Sequence, residues 1–206
     1  IEQMVPCSLP KCMLEVFAGS ASLSKAVRDL PEWSSATFDM ANDESQNILN
    51  DAVFLDLIQS VVDGRYGALH LGVPCTTWTR ARRPALRTES FLFGVPNFPA
   101  RSRRQLEEGS EIARRSLVLL NLASSQGLWV SLESPLTSLL WLHPGYRLWQ
   151  SDWSISCATV HYCAWGSLFK KPTRLAASYP EIVQLNSQCP GDHVHVVLRG
   201  KAQDGR

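Results

Sequence analysis

Four stretches of this 206-residue chain hold side chains whose type and spacing suit chemistry. In Gly72-Val73-Pro74-Cys75-Thr76-Thr77, a cysteine stands where an apolar run gives way to a loop. A thiol so placed is open to a substrate, and a neighbouring cation would favour the nucleophilic thiolate. A buried structural thiol is the plainer reading, and a phosphatase-type loop fails because the sixth position after Cys75 is Ala81 rather than arginine. In Leu132-Glu133-Ser134-Pro135, a glutamate closes an apolar strand. Buried, it must be paired or protonated, and the protonated form suits a proton donor. The alternative is a strand-end acid in solvent.

The third stretch is Glu15-Val16-Phe17-Ala18-Gly19-Ser20, an apolar run ending in a glycine turn ahead of helical spacing. Such a turn lets backbone N–H groups approach a ligand at a helix N-terminus, although it also serves as ordinary punctuation. Two acids give it more content. Asp39 ends the next apolar run, where a carboxylate can accept ribose hydroxyls, and Asp56 follows a third, where it could meet an exocyclic amine. The fourth stretch, Phe169-Lys170-Lys171-Pro172-Thr173-Arg174, suits an anion or is a basic surface turn.

A net charge of +1 conceals a local excess. Fifteen of the twenty basic residues are arginine, and the segment from Arg80 to Arg104 carries seven of them against one acid, Glu89. A solvated face explains such a run as readily as a phosphate-contacting arm does. Its position directly after Cys75 favours the arm, with Arg80, Arg82, Arg83 and Arg87 as the phosphate-binding candidates.

The elements that must carry these residues alternate. Strands are expected at 14–17, 36–38, 68–73 and 128–132, with helices over 20–30, 57–62 and 106–125; residues 53–55 fit either a strand or a helix flank. This alternation predicts a parallel, doubly wound α/β sheet. From 84 to 101 a long, mobile connection with no periodic core signal is expected, and the last third has extended character. An apolar fraction of 45% with seven Trp and seven Phe supports a real core and excludes a disordered chain. No apolar run reaches membrane-span length and no signal-peptide pattern opens the chain, which predicts an intracellular protein with no membrane partner, nuclear if eukaryotic.

Six cysteines without a secretion pattern read as thiols or ligands rather than disulfides. Cys157-x3-His161-x-Cys163 and Cys189-x3-His193-x-His195 place soft and borderline donors in two clusters. Cys163, Cys189, His193 and His195 are the set that spacing selects for a structural zinc, against the plainer reading of core thiols and strand histidines.

Taken in order, the four stretches resemble the DNA cytosine-5 methyltransferase family, most closely its short methylase-like domains of the protist and retroelement type. Phe17-Ala18-Gly19-Ser20 is similar to the methyl-donor turn, Asp39 to the ribose-binding acid and Asp56 to the acid near the adenine. Gly72-Val73-Pro74-Cys75 is similar to the nucleophile motif, Glu133-Ser134-Pro135 to the Glu-Asn-Val motif, and Lys171-Pro172-Thr173-Arg174 stands in the place of the Gln-x-Arg-x-Arg motif.

The resemblance implies a Rossmann-like, S-adenosylmethionine-dependent methyltransferase fold over 1–178, with a small extension over 179–206 and no large target-recognition domain. It implies Cys75, Glu133 and Arg174 as catalytic residues. Phe17, Ala18, Gly19, Ser20, Asp39, Asp56 and Pro74 would bind S-adenosylmethionine, and Lys171 would join the arginines on nucleic acid. DNA is the implied partner, RNA the alternative, with a further domain or partner supplying target recognition. Two other functions remain open: an idle relative that binds DNA or RNA, and, more remotely, a cysteine hydrolase, which lacks a histidine at recognisable spacing.

Overall fold

The computed structural model describes residues 9–98 and 100–196; Cys7 and the outer ends of both expected segments lie outside them. Six strands form one sheet in the order β2-β1-β3-β4-β6-β5. β1 (Cys12–Val16), β2 (Ser34–Phe38), β3 (Ala68–Leu71) and β4 (Trp129–Pro135) are parallel neighbours. β6 (Pro172–Ala177) runs antiparallel between β4 and β5 (Ser156–His161). The expected α/β architecture with a mostly parallel sheet is therefore observed.

The connections follow from sequence pattern. α1 (Ser22–Arg28) returns the chain from β1 to β2 and packs on both strands. α2 (Asp51–Val62) starts at Asn50, whose side chain accepts the N–H groups of Ala52 and Val53. It leads across β1 to β3, so the winding direction reverses between β1 and β3 and opens a crevice at their carboxyl ends. Residues 53–55 belong to α2, because Phe54, Leu57 and Val61 form one buried stripe of helical period. α3 (Arg103–Ser125) is the long helix expected, packed on β3, β4 and α2.

α4 (Pro144–Asp152) has no counterpart among the expected elements. It is short, and its signal lies in the cap: the His143 ring accepts the Gly145 N–H, and Pro144 opens the first turn. Tyr146 and Trp149 then enter the core. The connection after β3 is not free of the core either. Trp78 and Leu86 are each only 1% exposed, so this segment is anchored at both residues instead of spanning the gap loosely.

Alternation along the strands sets the polar side chains of the sheet in one row. Glu15 pairs with His70, and His70 with Ser131, so all three share a face. The opposite face, with Leu14, Leu69, Leu71, Val130 and Leu132, carries the main core beneath α2, α3 and α4.

Candidate active site

The carboxyl edge of the parallel strands surrounds a cavity of about 680 Å³, within the size range of small-molecule sites. Three strand ends supply its walls. After β1 come Phe17, Ala18, Gly19 and Ser20; after β3 come Gly72, Val73, Pro74 and Cys75; the end of β4 supplies Glu133 and Ser134. Lys171 and Tyr162 close a fourth side from the segment between β5 and β6.

The turn after β1 is tightly held. Phe17, Gly19 and Ala21 all adopt positive φ (61°, 52° and 53°), a conformation that costs a bulky residue such as Phe and is free for glycine. Asp39, one residue past β2, accepts the Gly19 N–H at 2.7 Å and the Ala41 N–H at 2.8 Å, while the Asn42 amide donates to the Gly19 carbonyl at 2.8 Å. Asp39 thus braces the turn and does not line the cavity itself. A Cβ built on Gly19 would meet no protein atom within 4 Å, so the turn presents backbone to open space.

Cys75 opens a turn in which its carbonyl accepts the N–H groups of Trp78 and Thr79. Its thiol is half-buried, and burial pushes its pKa up; Lys171 pulls it back toward the thiolate and Glu133 pushes it further up. Glu133 is partly buried and paired: its Oε1 accepts from Lys171 Nζ at 3.1 Å. Of the two ways to hold a carboxyl there, pairing is the one observed. Lys171 Nζ also sits 4.5 Å from the centre of the Tyr162 ring. Burial first and the Glu133 charge second raise the Tyr162 hydroxyl pKa, so it remains a proton donor through the physiological range.

The floor is the polar row of the sheet, which sequence reasoning missed. Glu15 is 6% exposed and accepts the Ser24 N–H at 2.9 Å; His70 is 8% exposed, with Nδ1 2.8 Å from Ser131 Oγ. Burial lowers the His70 pKa, against the opposing pull of Glu133 and Glu15. The available signal was one polar residue inside each apolar strand, in Leu14-Glu15-Val16 and Leu69-His70-Leu71.

Besides Asp39, three more expected site residues lie off the cavity. Asp56 is an exposed residue in the middle of α2 and does not line the cavity, because the apolar run before it is helical. Arg174 pairs with Ser134 across β4 and β6 but is one residue out of phase with Leu175, which lines the cavity; its guanidinium lies 5.2 Å from the Trp141 ring centre. Arg87 is a fastener of the core, 3% exposed, lying 3.8 Å over the Trp78 ring. It donates to the Leu92 and Leu106 carbonyls and to Ser110 Oγ, and burial lowers its pKa to about 10.

The remaining arginines of the run diverge. Arg80 is exposed and binds the Thr137 carbonyl and Glu89; Arg82 donates to Gln105; Arg83 is exposed and donates to the Arg80 and Arg82 carbonyls of its own loop. Cys163, Cys189, His193 and His195 are brought together at a separate place.

No family model matches the chain, and no curated protein matches it in sequence. The structure is similar to that of the Entamoeba histolytica methyltransferase EhMeth, at 11% identity and a TM-score of 0.47, over 81% of this chain and 52% of that one. It is also similar to a mutant of Spodoptera frugiperda DNMT2, at 12% identity and a TM-score of 0.45, over 92% of this chain and 55% of that one. The chain therefore spans 52% and 55% of the lengths of these two proteins, little more than half of each.

Proposed function

We propose that the chain transfers a methyl group from S-adenosylmethionine to carbon 5 of cytosine in DNA, with Cys75 as the nucleophile. The observation that carries this reading is that one cavity is lined by a strained glycine turn, a cysteine thiol and a lysine-paired glutamate from three strand ends.

The residues present fit the donor. Gly19 faces open space with its backbone, the helix α1 begins just beyond, and the cavity volume suits a nucleoside with a short side chain. Phe17, Ala18, Gly19, Ser20 and Pro74 would hold it, with Asp39 acting through the turn that it braces. When bound, S-adenosylmethionine supplies an electrophilic methyl group.

The protein's own task is to make an aromatic carbon nucleophilic. The Cys75 thiolate adds to carbon 6 of the ring, and the electron pair of the broken double bond raises the nucleophilicity of carbon 5. Glu133, positioned by Lys171, acts here as the protonated acid: it donates its proton to the ring nitrogen, neutralising the negative charge that thiolate addition pushes onto the ring, and takes the proton back when the adduct collapses. After carbon 5 has accepted the methyl group, its proton leaves to solvent and the Cys75–carbon 6 bond breaks, restoring the aromatic ring and the thiolate. The base must leave its helix to reach the cavity, and Arg80 and Arg83, exposed on the loop after Cys75, suit the flanking phosphates.

DNA carrying 5-fluorocytosine tests the reading, because fluorine on carbon 5 cannot leave as a proton does. Expected is a covalent complex that depends on S-adenosylmethionine and vanishes in Cys75→Ser. Nucleic-acid binding without any complex would favour an idle relative, a reading to which the upward shift of the Cys75 thiol gives some support.

A further inference from the structure

We propose that Cys163, Cys189, His193 and His195 hold one zinc ion in a closed structural site. This site would fasten residues 186–196 to the segment that carries Tyr162 and Lys171. The inference is independent of the methyl-transfer reading.

The four donor atoms, two sulfur and two nitrogen, lie within 4.8 Å of one another. Cys189 Sγ is 3.3 Å from His195 Nε2 and 4.0 Å from His193 Nε2. Around a tetrahedral zinc with ordinary bond lengths a sulfur and a nitrogen stand about 3.6 Å apart, and the two observed separations bracket that value. Thiols and neutral imidazoles gain little from one another, since a thiol is a weak donor and a weak acceptor. Their convergence at this spacing gives each of them what a shared cation needs. Two thiolates and two imidazoles select zinc over the hard, oxygen-seeking cations, and four protein donors leave no open position for a substrate.

The surroundings orient the donors. His193 Nδ1 lies 2.8 Å from Asp192 Oδ1, which fixes the proton on Nδ1 and leaves Nε2 to face the cluster. His161, a neighbour in the sequence cluster, is excluded as a ligand by its own bond: its Nδ1 accepts the Cys189 N–H at 2.9 Å. Cys163 sits in the short 3-10 turn Tyr162–Trp165, next to the residue that faces Glu133. The partner segment is tied at its start, where Asn186 and Ser187 bond to Thr159, His161 and Trp165, but less so beyond it. From 190 to 196 it has no regular secondary structure and Val194 is 96% exposed, yet its backbone is pinned where the Val196 N–H meets the Leu168 carbonyl at 2.9 Å.

Protein purified without added metal or chelator should contain one zinc per chain by mass spectrometry of the elements. X-ray absorption on the same sample should give two sulfur and two nitrogen neighbours, at about 2.3 Å and 2.0 Å. Cys163→Ser with Cys189→Ser should reduce zinc to background, whereas Cys12→Ser with Cys157→Ser should leave one per chain. Substoichiometric metal, a coordination shell without sulfur, or a Cys163–Cys189 disulfide in the intact mass of the purified chain would overturn the proposal. The absorption measurement stands on wild-type protein, so a double variant that fails to fold leaves the site testable.

Discussion

The two clusters of reactive side chains are built in opposite ways. The cavity at the sheet edge collects residues from three strands far apart in the chain, from Glu15 in β1 to Ser134 in β4, and keeps open space between them. The Cys/His cluster draws three of its four members from the seven residues 189–195, and its donor atoms converge to within 4.8 Å of one another. A site meant for turnover needs room for a substrate beside its nucleophile, and a site meant to hold a fold needs closure. The same residue type thus occupies two settings: Cys75 faces a void, whereas Cys163 is buried against its neighbours.

The sharpest way to break this contrast is Cys75→Ser. Methyl transfer and the covalent complex should fall by roughly 10⁴-fold or more, with zinc content unchanged. A loss of zinc in that variant would show the two clusters to be coupled rather than separate. Glu133→Gln keeps the shape and removes the charge that faces Lys171. Turnover should drop by about 10²–10⁴-fold while binding of S-adenosylmethionine, followed by calorimetry, stays within a few-fold.

Arg87 and Arg83 extend the contrast to stability. Arg87→Met leaves the Leu92 carbonyl without its donor, removes one of the bonds to the Leu106 carbonyl and loosens the packing over Trp78. A loss of about 2–4 kcal/mol should appear as a lowered denaturant midpoint at unchanged slope.

His70 makes the floor of the cavity sensitive to acid. Its folded pKa lies below its unfolded value, so the unfolded chain takes up the proton first. The stability it contributes is fully present above pH ~6.5 and declines as the pH falls from there toward the folded pKa, by at most about 1.4 kcal/mol per pH unit. His143, also lowered by burial and by Arg87, adds to the same trend. Denaturant titrations between pH 5 and 7.5, flattened in His70→Asn, would check it. The smallest effect is expected from Arg83→Ala: stability within about 0.5 kcal/mol of the parent, and a DNA-binding salt slope reduced by about 1. An unchanged slope would return this arginine to solvent.

Much of this was legible in the chain itself. Strand ends and turns were readable because Gly, Pro and Asp punctuate apolar runs of the right length, and this located Cys75, Glu133 and Gly19 on a single edge. Asp56 was expected at a strand end because the three-residue apolar run before it, 53–55, carries no period long enough to separate strand from helix. Arg174 lies toward Trp141 while its neighbour Leu175 lines the cavity, a placement that strand register decides and no motif encodes.

By itself, the sequence determined the α/β order, the motif residues and the grouping of Cys189, His193 and His195, since each rests on local spacing. Only the tertiary structure decided which arginines meet solvent, that Glu15, His70 and Ser131 form one buried row, and that Lys171 pairs with Glu133. Those outcomes depend on strand register and on packing between segments far apart in the chain, and no local pattern encodes either.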